Sequence, residues 1–518
     1  MTDRPTSGQP SPTAAPTPPS GTPPADVAAA APGAGVAPAD APGVPPPVIA
    51  TPLGEAVVPD PPARRPGAAP ALGGRALAQG GGTKRGVVAW AMWDWGTQPF
   101  NTVITTFVFS AYITSAYFGD TDANSMALSV STAVAGFFIA VLAPVLGQSA
   151  DRSGHVMRNL RWLTWGVALI SAALYFVRPE PKFLWFGLGL LALGTVVSEI
   201  AGAGYNSLLD RVATERNVGQ VSGFGWGMGY LGGIVVLMAI FFWFVNPEVT
   251  ILGLANQNAM GIRLSMIVCG VWTLLFTIPT FVSLRDRPPA ADRVPAKGLI
   301  ASYGALIRTI RQLWREQRQT VFFLAASALF RDGLAGVFAF GAVVAVGTFG
   351  LSSGDVILFG AAANIVAGLA TIAVGLLDDK LGPKTVILAS LSLLIVCDVL
   401  IFAFHDGGQT VFWVLGLLMS ACVGPAQSAS RSFLARLVPQ GHSGEIFGLY
   451  ATTGRVVSFL SPLAFGAMIA LGHLVLGQGQ QTQHWGLLGI IVVLTAGLLV
   501  MIPVKPADQQ DAITARKD

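Results

Sequence analysis

The chain has 518 residues, of which 52% are hydrophobic and only 11% are charged. A soluble protein usually carries about a quarter charged residues, so this composition excludes an ordinary soluble domain. The formal net charge of +4 does not indicate a nucleic-acid partner, because the basic residues lie at the ends of apolar runs and form no aromatic-interleaved patch.

The N-terminal segment, residues 1–86, holds 20 of the 35 prolines and is otherwise rich in Ala, Gly, Thr and Ser. Such a composition buries too little apolar surface to fold, so we predict a disordered tail. A cationic start followed by an apolar core is missing, so we expect no cleavable signal peptide and a tail that stays in the cytoplasm.

Apolar runs that are long enough to cross a bilayer begin at residue 87, since a membrane helix needs roughly twenty apolar residues. They predict an all-α membrane protein with twelve transmembrane helices, six in a first half (87–284) and six in a second half (319–503), followed by a cytoplasmic tail (504–518). The predicted spans lie near 88–118, 125–147, 160–177, 183–207, 221–245, 260–284, 319–349, 355–377, 384–404, 410–434, 445–471 and 485–503.

The Lys and Arg residues between the spans predict the orientation, because basic residues are enriched in cytoplasmic loops. Most of them fall on one side, whereas the other side holds essentially Arg178 and Lys182. Both termini are therefore expected in the cytoplasm, and the expected location is the cell membrane. The basic residues of the cytoplasmic side are Lys84, Arg85, Arg152, Arg158, Arg161, Arg211, Arg216, Lys380, Lys384, Arg436 and those of residues 285–318.

A basic linker, residues 285–318, joins the two halves. Its apolar residues recur on one helical face and its arginines on another, which predicts an amphipathic helix on the inner membrane surface. A solvated linker helix fits the same pattern equally well. The apolar face contains Leu299, Ile300, Tyr303, Leu306, Ile307, Ile310, Leu313 and Trp314, and the arginines are Arg308, Arg311 and Arg315.

Six charged residues within the apolar runs are candidates for the membrane interior, where a charge costs roughly 2.5 to 3.5 kcal/mol near the bilayer centre and usually faces a cavity or a partner. Four acids against two arginines leave two carboxylates without a cation. An unpaired carboxylate away from water readily holds a proton, which is the chemistry of proton coupling. The six residues are Asp94, Glu199, Arg331, Asp332, Asp398 and Arg455.

An internal repeat relates the two halves. The pattern G-x-x-x-D-[RK]-x-G occurs at 147–154 and again at 375–382, after the second span of each half. Six spans return the chain to the same side, so the halves are parallel repeats, and such repeats place a substrate site between them near the midplane. A second set, Leu209, Arg211, Gly219 and Gly223, recurs at a constant offset of 225 residues as Leu434, Arg436, Gly444 and Gly448.

The paired motifs, the parallel halves and the longer basic linker resemble the major facilitator superfamily over residues 87–503. Further stretches resemble the vacuole effluxer-like family, named for the autophagy-related amino-acid effluxer of fungal vacuoles. The chain departs from its relatives at Asp210, where they tend to have Pro. The stretches that carry the resemblance are WAMWDW at 90–95, YNSLL at 205–209, VSGFGW at 221–226, GYLGG at 229–233 and FAFG at 338–341.

The resemblance implies that the two motifs latch one conformation of the transporter. The alternative is that their glycines only permit tight turns and their charges only set the topology. We expect the latch, because topology alone needs no acid within the motif. The latch residues are Gly147, Asp151, Arg152, Gly154, Gly375, Asp379, Lys380 and Gly382.

The resemblance also implies a central cavity lined by spans 1, 2, 4, 5, 7, 8, 10 and 11. Asp398 on peripheral span 9 is the weakest candidate for it. Each of the other residues has a structural alternative, either helix packing or anchoring at the interface. The predicted substrate and proton cavity comprises Asp94, Glu199, Tyr205, Asn206, Trp226, Arg331, Asp332, Asn364, Gln427 and Arg455.

We therefore expect a monomeric secondary transporter that moves a small polar solute by alternating access and is coupled to protons. The resemblance implies an amino acid as the solute and favours export. A membrane receptor or scaffold with the same fold and no turnover is the rival. An enzyme, a cofactor and a metal site are not expected, because the Gly-rich stretch 223–233 opens no βαβ unit and the three cysteines have no ligand-spaced partner.

Overall fold

A computed structural model describes Leu77 and residues 82–245, 257–286, 299–439, 441–477 and 482–506. All of these residues belong to one compact unit. The predicted tails, 1–86 and 504–518, lie almost wholly outside the described residues, and so does most of the linker before Leu299.

The first half is a set of helices that follows the predicted apolar runs. Its helices are α1 (Lys84–Pro99), a π-helix (Phe100–Phe107), α2 (Phe109–Ile113), α3 (Thr121–Ser153), α4 (Val156–Ala173), α5 (Leu184–Ser207), α6 (Leu209–Val212), α7 (Val218–Ile240), a second π-helix (Phe241–Val245) and α8 (Met260–Ser283). Short 3-10 turns lie at Ala116–Phe118, Leu174–Phe176, Pro181–Phe183 and Gln257–Ala259.

The linker and the second half are also helical. Their helices are α9 (Leu299–Glu316), α10 (Arg318–Gly347), α11 (Ser353–Leu381), α12 (Pro383–Ala403), α13 (Gln409–Leu437), α14 (Ser443–Val457), α15 (Leu460–Leu476), a 3-10 turn (Gln483–Trp485) and α16 (Gly486–Met501).

Within the described residues, ten helical segments are long and apolar enough to cross a membrane. They correspond to ten of the twelve predicted spans. The two others, near 88–118 and 160–177, differ for physical reasons: the first is broken after Pro99 by a π-helix, and α4 carries Arg158 and Arg161 in its first two turns. The chain is thus an all-helical, multi-pass membrane protein, and the count of twelve stays a prediction.

The repeated motif, which the sequence analysis placed after the second span of each half, lies on the ends of helices and not in a loop. Helix α3 continues to Ser153 and α11 continues to Leu381, so only the last glycine of each motif leaves the helix. Gly154 and Gly382 have φ angles of 70° and 83°, which favour glycine. The final glycine of the pattern therefore ends the helix.

The two halves contact each other mainly through two helix pairs. Helix α3 of the first half packs against α14 of the second, and α11 of the second half packs against α7 of the first. Each pair joins a motif helix to the helix that carries the second repeated glycine set. The two repeats found in the sequence are therefore partners in space.

Helix α9 of the linker has an apolar face that is divided between buried and exposed residues. Leu306 and Leu313 are buried, and the hydroxyl of Tyr303 donates to the carbonyl of Val141 on α3 at 2.5 Å. Ile310 and Trp314 remain exposed beside the arginines. Whether this edge lies on the membrane surface stays a prediction.

We predict that Gly147→Ala weakens the packing of α3 on α14. A Cβ atom at residue 147 would lie 2.1 Å from the carbonyl oxygen of Gly444, so the backbones must separate. Such overpacking typically costs about 1–3 kcal/mol. The apparent melting temperature in detergent should fall, whereas the control Gly136→Ala, on the same helix with no atom within 4 Å, should leave it unchanged or raise it. Equal melting temperatures for the two variants would contradict the close approach.

Candidate functional site

The first motif holds the N-terminus of a helix from the opposite half. The carboxylate of Asp151 accepts hydrogen bonds from the backbone amides of Gly444, at 3.0 Å, and Glu445, at 2.9 Å. These amides belong to the first turn of α14, where the helix dipole favours an anion. The neighbouring side chain of Gln148 donates to the carboxylate of Glu445, which adds a second contact between the halves.

The second motif repeats this arrangement in the other direction. The carboxylate of Asp379 accepts from the amides of Gly219 and Gln220, both at 2.8 Å, in the first turn of α7. Arg436 adds a bond to the same carboxylate at 2.8 Å. Each half therefore holds one helix N-terminus of the other half through a motif aspartate.

Glycines allow these contacts by letting the backbones meet. Gly147 and Gly444 touch on one side, and Gly375 and Gly223 touch on the other, where a Cβ at residue 223 would lie 2.8 Å from the Cα of Gly375. The cations of the motif contribute less: Lys380 is exposed, and neither it nor Arg152 has a hydrogen bond or ion pair in the part of the chain that the structure describes. We name these contacts around Asp151 and Asp379 the two closing contacts.

Arg431 on α13 is a buried cation that reaches across to the first half. Its guanidinium donates to the carbonyl of Ser222 at 2.6 Å, to the hydroxyl of Ser222 at 2.9 Å and to the side chain of Asn206 at 3.0 Å. It also lies 3.5 Å from the carboxylate of Asp94, which is a longer ion pair. A cation buried in a membrane protein needs such partners, and here they come from α1, α5 and α7.

Aromatic rings surround the same guanidinium. Its central carbon lies 4.8 Å from the ring centre of Trp90, 5.6 Å from that of Trp226 and 5.8 Å from that of Tyr205, within the range of cation–π attraction. Tyr205 stacks between Trp90 and Trp93, and its hydroxyl donates to Asp94 at 2.9 Å. The stacked rings fix the position of Asp94 relative to Arg431.

A second charged pair joins the halves, while two further charges stay within one half. Arg455 on α14 binds Glu199 on α5, across the boundary. Arg331 donates to the carbonyl of Tyr450 at 2.9 Å and lies 3.8 Å from its ring centre. Asp332 accepts from the backbone amide of Ser461 at 2.7 Å, at the start of α15 where the predicted span 445–471 is broken in two.

The charged side chains of these networks line one cavity of about 370 Å³. The lining residues come from α1, the first π-helix, α5, α7, α10, α13, α14 and the α14–α15 break, so both halves contribute. Three acids, three arginines and several aromatic rings face it. Of the ten predicted cavity residues, nine line this cavity: Asp94, Glu199, Tyr205, Asn206, Trp226, Arg331, Asp332, Gln427 and Arg455.

Two of the discussed polar residues lie elsewhere. Asn364 on α11 donates to the carbonyl of Gly360 in its own helix and is not part of the cavity lining. The sequence placed Asn364 on a span that was expected to line the cavity. It could not show which face of that helix Asn364 occupies. Asp398 lies on α12 outside the cavity, is fully buried, and neither of its carboxylate oxygens has a hydrogen-bond partner among the described residues.

The sequence analysis missed Arg431 and Arg263, and its charge count is wrong for that reason. Arg431 falls inside the predicted span 410–434, and Arg263 falls inside 260–284; both are buried, with 2% and 6% of their surface exposed. Added to the six candidates, these two residues give four arginines against four acids, so the surplus of two carboxylates disappears. The available signal was their position within an apolar run.

Known proteins resemble the chain in sequence. The family described as "Vacuole effluxer Atg22 like" matches residues 111–512. The uncharacterized MFS-type transporter YxiO of Bacillus subtilis is 26% identical over 447 residues, which cover 83% of this chain and 97% of YxiO. Autophagy-related protein 22 of Coccidioides immitis is 27% identical over 307 residues, which cover 55% of this chain and 48% of that protein. The match thus spans about half the length of the fungal relative.

Solved structures resemble the chain in fold. The proton:xylose symporter XylE aligns with a TM-score of 0.59 at 11% identity, over 83% of this chain and 97% of XylE. A bacterial homologue of the iron transporter ferroportin, in an outward-facing state, aligns with a TM-score of 0.57 at 14% identity, over 81% of this chain and 98% of that one. At these identities the likeness shows the fold alone, which is that of the major facilitator superfamily.

We predict that Arg431→Met destabilises this conformation strongly, because removing one partner of a buried ionic network typically costs about 3–5 kcal/mol. Asp94→Asn should cost less, since the hydroxyl of Tyr205 still bonds to the side chain at residue 94. The double variant should be less destabilised than the sum of the two single variants, because both act on one network. Melting temperatures of the four proteins in detergent form the test, and additive effects would show that the two charges are not coupled.

Proposed function

Because the chain belongs to the vacuole effluxer Atg22 like family and is a multi-pass membrane transporter and not an enzyme, we propose that it moves a small polar solute by alternating access. In this mechanism the two six-span halves rock about the cavity between them and expose it to each side of the membrane in turn. The observation that carries the proposal is the cavity itself, lined by polar and charged groups from both halves.

The closing contacts support this proposal because hydrogen bonds of this kind can break and form again. Asp151 and Asp379 hold the opposite halves through hydrogen bonds to helix amides, and water can replace such bonds when the halves separate. We propose that the motif side faces the cytoplasm, as the distribution of Lys and Arg favours. The described conformation is then closed to the cytoplasm, and both termini are cytoplasmic.

The solute and direction follow only from the family. The family description names an effluxer, so we propose export as the direction. The resemblance given in the sequence analysis implies an amino acid or a similar metabolite, and we propose it as the solute. We propose that the protein lies in the cell membrane. We propose further that it is a monomer, because one chain supplies the whole cavity lining described here.

Proton coupling is part of the proposal. Glu199 and Arg455 belong to opposite halves, so their ion pair must lengthen or break when the halves move apart on that side. A carboxylate that leaves its arginine can accept a proton instead, which lowers the cost of separation. The carboxylate of Asp94 bears the same relation to Arg431.

A labelling experiment tests alternating access without knowledge of the solute. The three native cysteines are buried, so a Ser198→Cys variant carries one reactive thiol in the cavity. Membrane-impermeant thiol reagents should label it from both sides of a vesicle. A disulfide in an added Asp210→Cys, Ser443→Cys pair, whose native side chains are 2.7 Å apart across the halves, should abolish labelling from the motif side until it is reduced.

Labelling from one side only, unaffected by the disulfide or its reduction, would overturn the proposal and favour a receptor or scaffold that does not cycle. The matched control carries the disulfide pair without Ser198→Cys and should stay unlabelled from either side after oxidation. It shows that the two added cysteines are themselves consumed.

We predict that acidic pH speeds labelling of Ser198→Cys from the motif side, relative to labelling of the denatured protein at the same pH, because the thiolate is the species that reacts. Separation of the halves breaks the ion pair between Glu199 and Arg455, and a proton that then neutralises the carboxylate favours the separated state. Glu199→Gln mimics the protonated side chain and should give fast labelling at acidic and alkaline pH alike. Asp398→Asn, at a buried acid outside the cavity, should keep the pH dependence of the parent. A pH dependence that survives Glu199→Gln would exclude Glu199 as the proton site.

A further inference from the structure

The charges that line the cavity sum to zero when its three acids are ionised, because three arginines line it as well. Two of these arginines face a carboxylate: Arg431 lies 3.5 Å from Asp94, and Arg455 binds Glu199. Among the described residues, no ion pair joins Arg331 to a carboxylate. Arg331 is therefore the cavity arginine whose charge no neighbouring acid balances.

The contacts of Arg331 hold its guanidinium in place and leave most of its donors unused. A guanidinium has five N–H donors. One of them donates to the carbonyl of Tyr450 at 2.9 Å, and the centre of the Tyr450 ring lies 3.8 Å from the guanidinium carbon. In the part of the chain that the structure describes, this is the one hydrogen bond of the guanidinium. The remaining donors form a positioned fork in the cavity lining, which suits a carboxylate.

Glu199 presents the opposite charge to the same cavity. One oxygen of its carboxylate accepts a hydrogen bond from Arg455, and the other oxygen has no hydrogen bond within the described ranges. The side chain of Glu199 lines the cavity and is 36% exposed. An ammonium group in the cavity can therefore bind the second oxygen without displacing Arg455.

The two other acids of the cavity are less available to a cation. Asp332 has 5% of its surface exposed, and its carboxylate accepts the backbone amide of Ser461. Asp94 lies beside Arg431, and 17% of its side chain is exposed. Glu199 is therefore the cavity acid that is most open to an ammonium group.

Arg331 and Glu199 come from opposite halves but contact neighbouring residues of one helix. Helix α14 packs against α10, which carries Arg331, and against α5, which carries Glu199. On α14, a Cβ atom at Gly454 would lie 3.2 Å from a guanidinium nitrogen of Arg331. The next residue, Arg455, binds Glu199. A single small solute that lies over Gly454, which also lines the cavity, can thus reach both charged groups.

We propose that Arg331 and Glu199 together bind a zwitterionic solute, with its carboxylate on Arg331 and its ammonium group on Glu199. The solute class is an α-amino acid without a charged side chain. The inference rests on the proposed transport function and deepens it, because it assigns the two charged groups of the proposed amino acid to two residues. A zwitterion adds no net charge to a cavity whose own charges sum to zero, whereas a solute with a net charge would leave one charge unbalanced away from water.

The test measures the melting temperature of the purified full chain against ligand concentration, since a ligand that binds only the folded state stabilises it. Neutral amino acids, among them leucine, phenylalanine and glutamine, are each compared with two relatives: the carboxylic acid that lacks the amino group and the amine that lacks the carboxylate. For leucine these are isocaproate and isoamylamine. We expect at least one neutral amino acid to stabilise the protein, and each of its relatives to need at least a tenfold higher concentration.

Three results of this comparison would overturn the inference. They are equal stabilisation by one of the two relatives, stabilisation only by amino acids with a charged side chain, and no stabilisation by any amino acid. In each case the thiol-labelling experiment still decides the transport proposal separately, because it needs no solute.

Two variants assign each charged group of the ligand to its residue. Arg331→Gln should remove the advantage of the amino acid over the amine, and Glu199→Gln should remove its advantage over the carboxylic acid. These advantages are ratios within one protein, so a general loss of stability in a variant does not change them. Arg331→Lys and Glu199→Asp keep the charges and should keep part of each advantage.

The controls are Arg178→Gln and Asp406→Asn, at exposed residues outside the cavity, and both should keep the two advantages of the parent. An advantage over the amine that survives in Arg331→Gln, or one over the carboxylic acid that survives in Glu199→Gln, would contradict the assignment.

Discussion

The structure depends on one repeated constraint: a motif aspartate of each half must reach the first-turn amides of a helix in the other half. A carboxylate can do so only if the helix backbones approach closely, and glycines at 147, 444, 223 and 375 make that approach possible. The charge is stabilised by the helix terminus and not by a formal cation, except where Arg436 assists Asp379. Such a contact holds firmly when the halves meet and is readily hydrated when they part, which is what a moving interface requires.

The cavity depends on one of the helices that form the closing contacts. Ser222 lies one turn beyond Gly219 on α7, and its carbonyl and hydroxyl receive the guanidinium of Arg431. The closing contact of Asp379 and the buried cation therefore act on the same helix. Separation of the halves on that side would remove Arg431 from Ser222 and Asn206, so the contacts of this cavity arginine and the closing contact of Asp379 both depend on α7.

Much of the fold could be predicted from the sequence, because apolar runs and a twice-repeated motif are strong, local signals. The sites were harder for two physical reasons. Helical position does not show which neighbour a face meets, so Asn364 and Gln427 looked alike although only Gln427 lines the cavity. Arg431 lies near the end of its span, where an arginine usually marks an interface, and only the three-dimensional packing reveals that it is 2% exposed and bonded across the halves.

Positions that the repeat makes equivalent in the two halves do not carry equivalent side chains in the cavity. Asn206 and Arg431 are separated by 225 residues, the offset of the repeat, and they bind each other at 3.0 Å. Equivalent positions of the two halves thus meet, but one is neutral and the other is charged. The acids and arginines of the cavity follow no such symmetry: the positions 225 residues from Glu199 and Arg455 are Gly424 and Tyr230. The closing contacts keep the symmetry of the repeat, which fits the proposed mechanism, in which the two halves move as equivalent bodies. The asymmetry of the cavity fits the binding of a single solute, which needs different partners on its different sides.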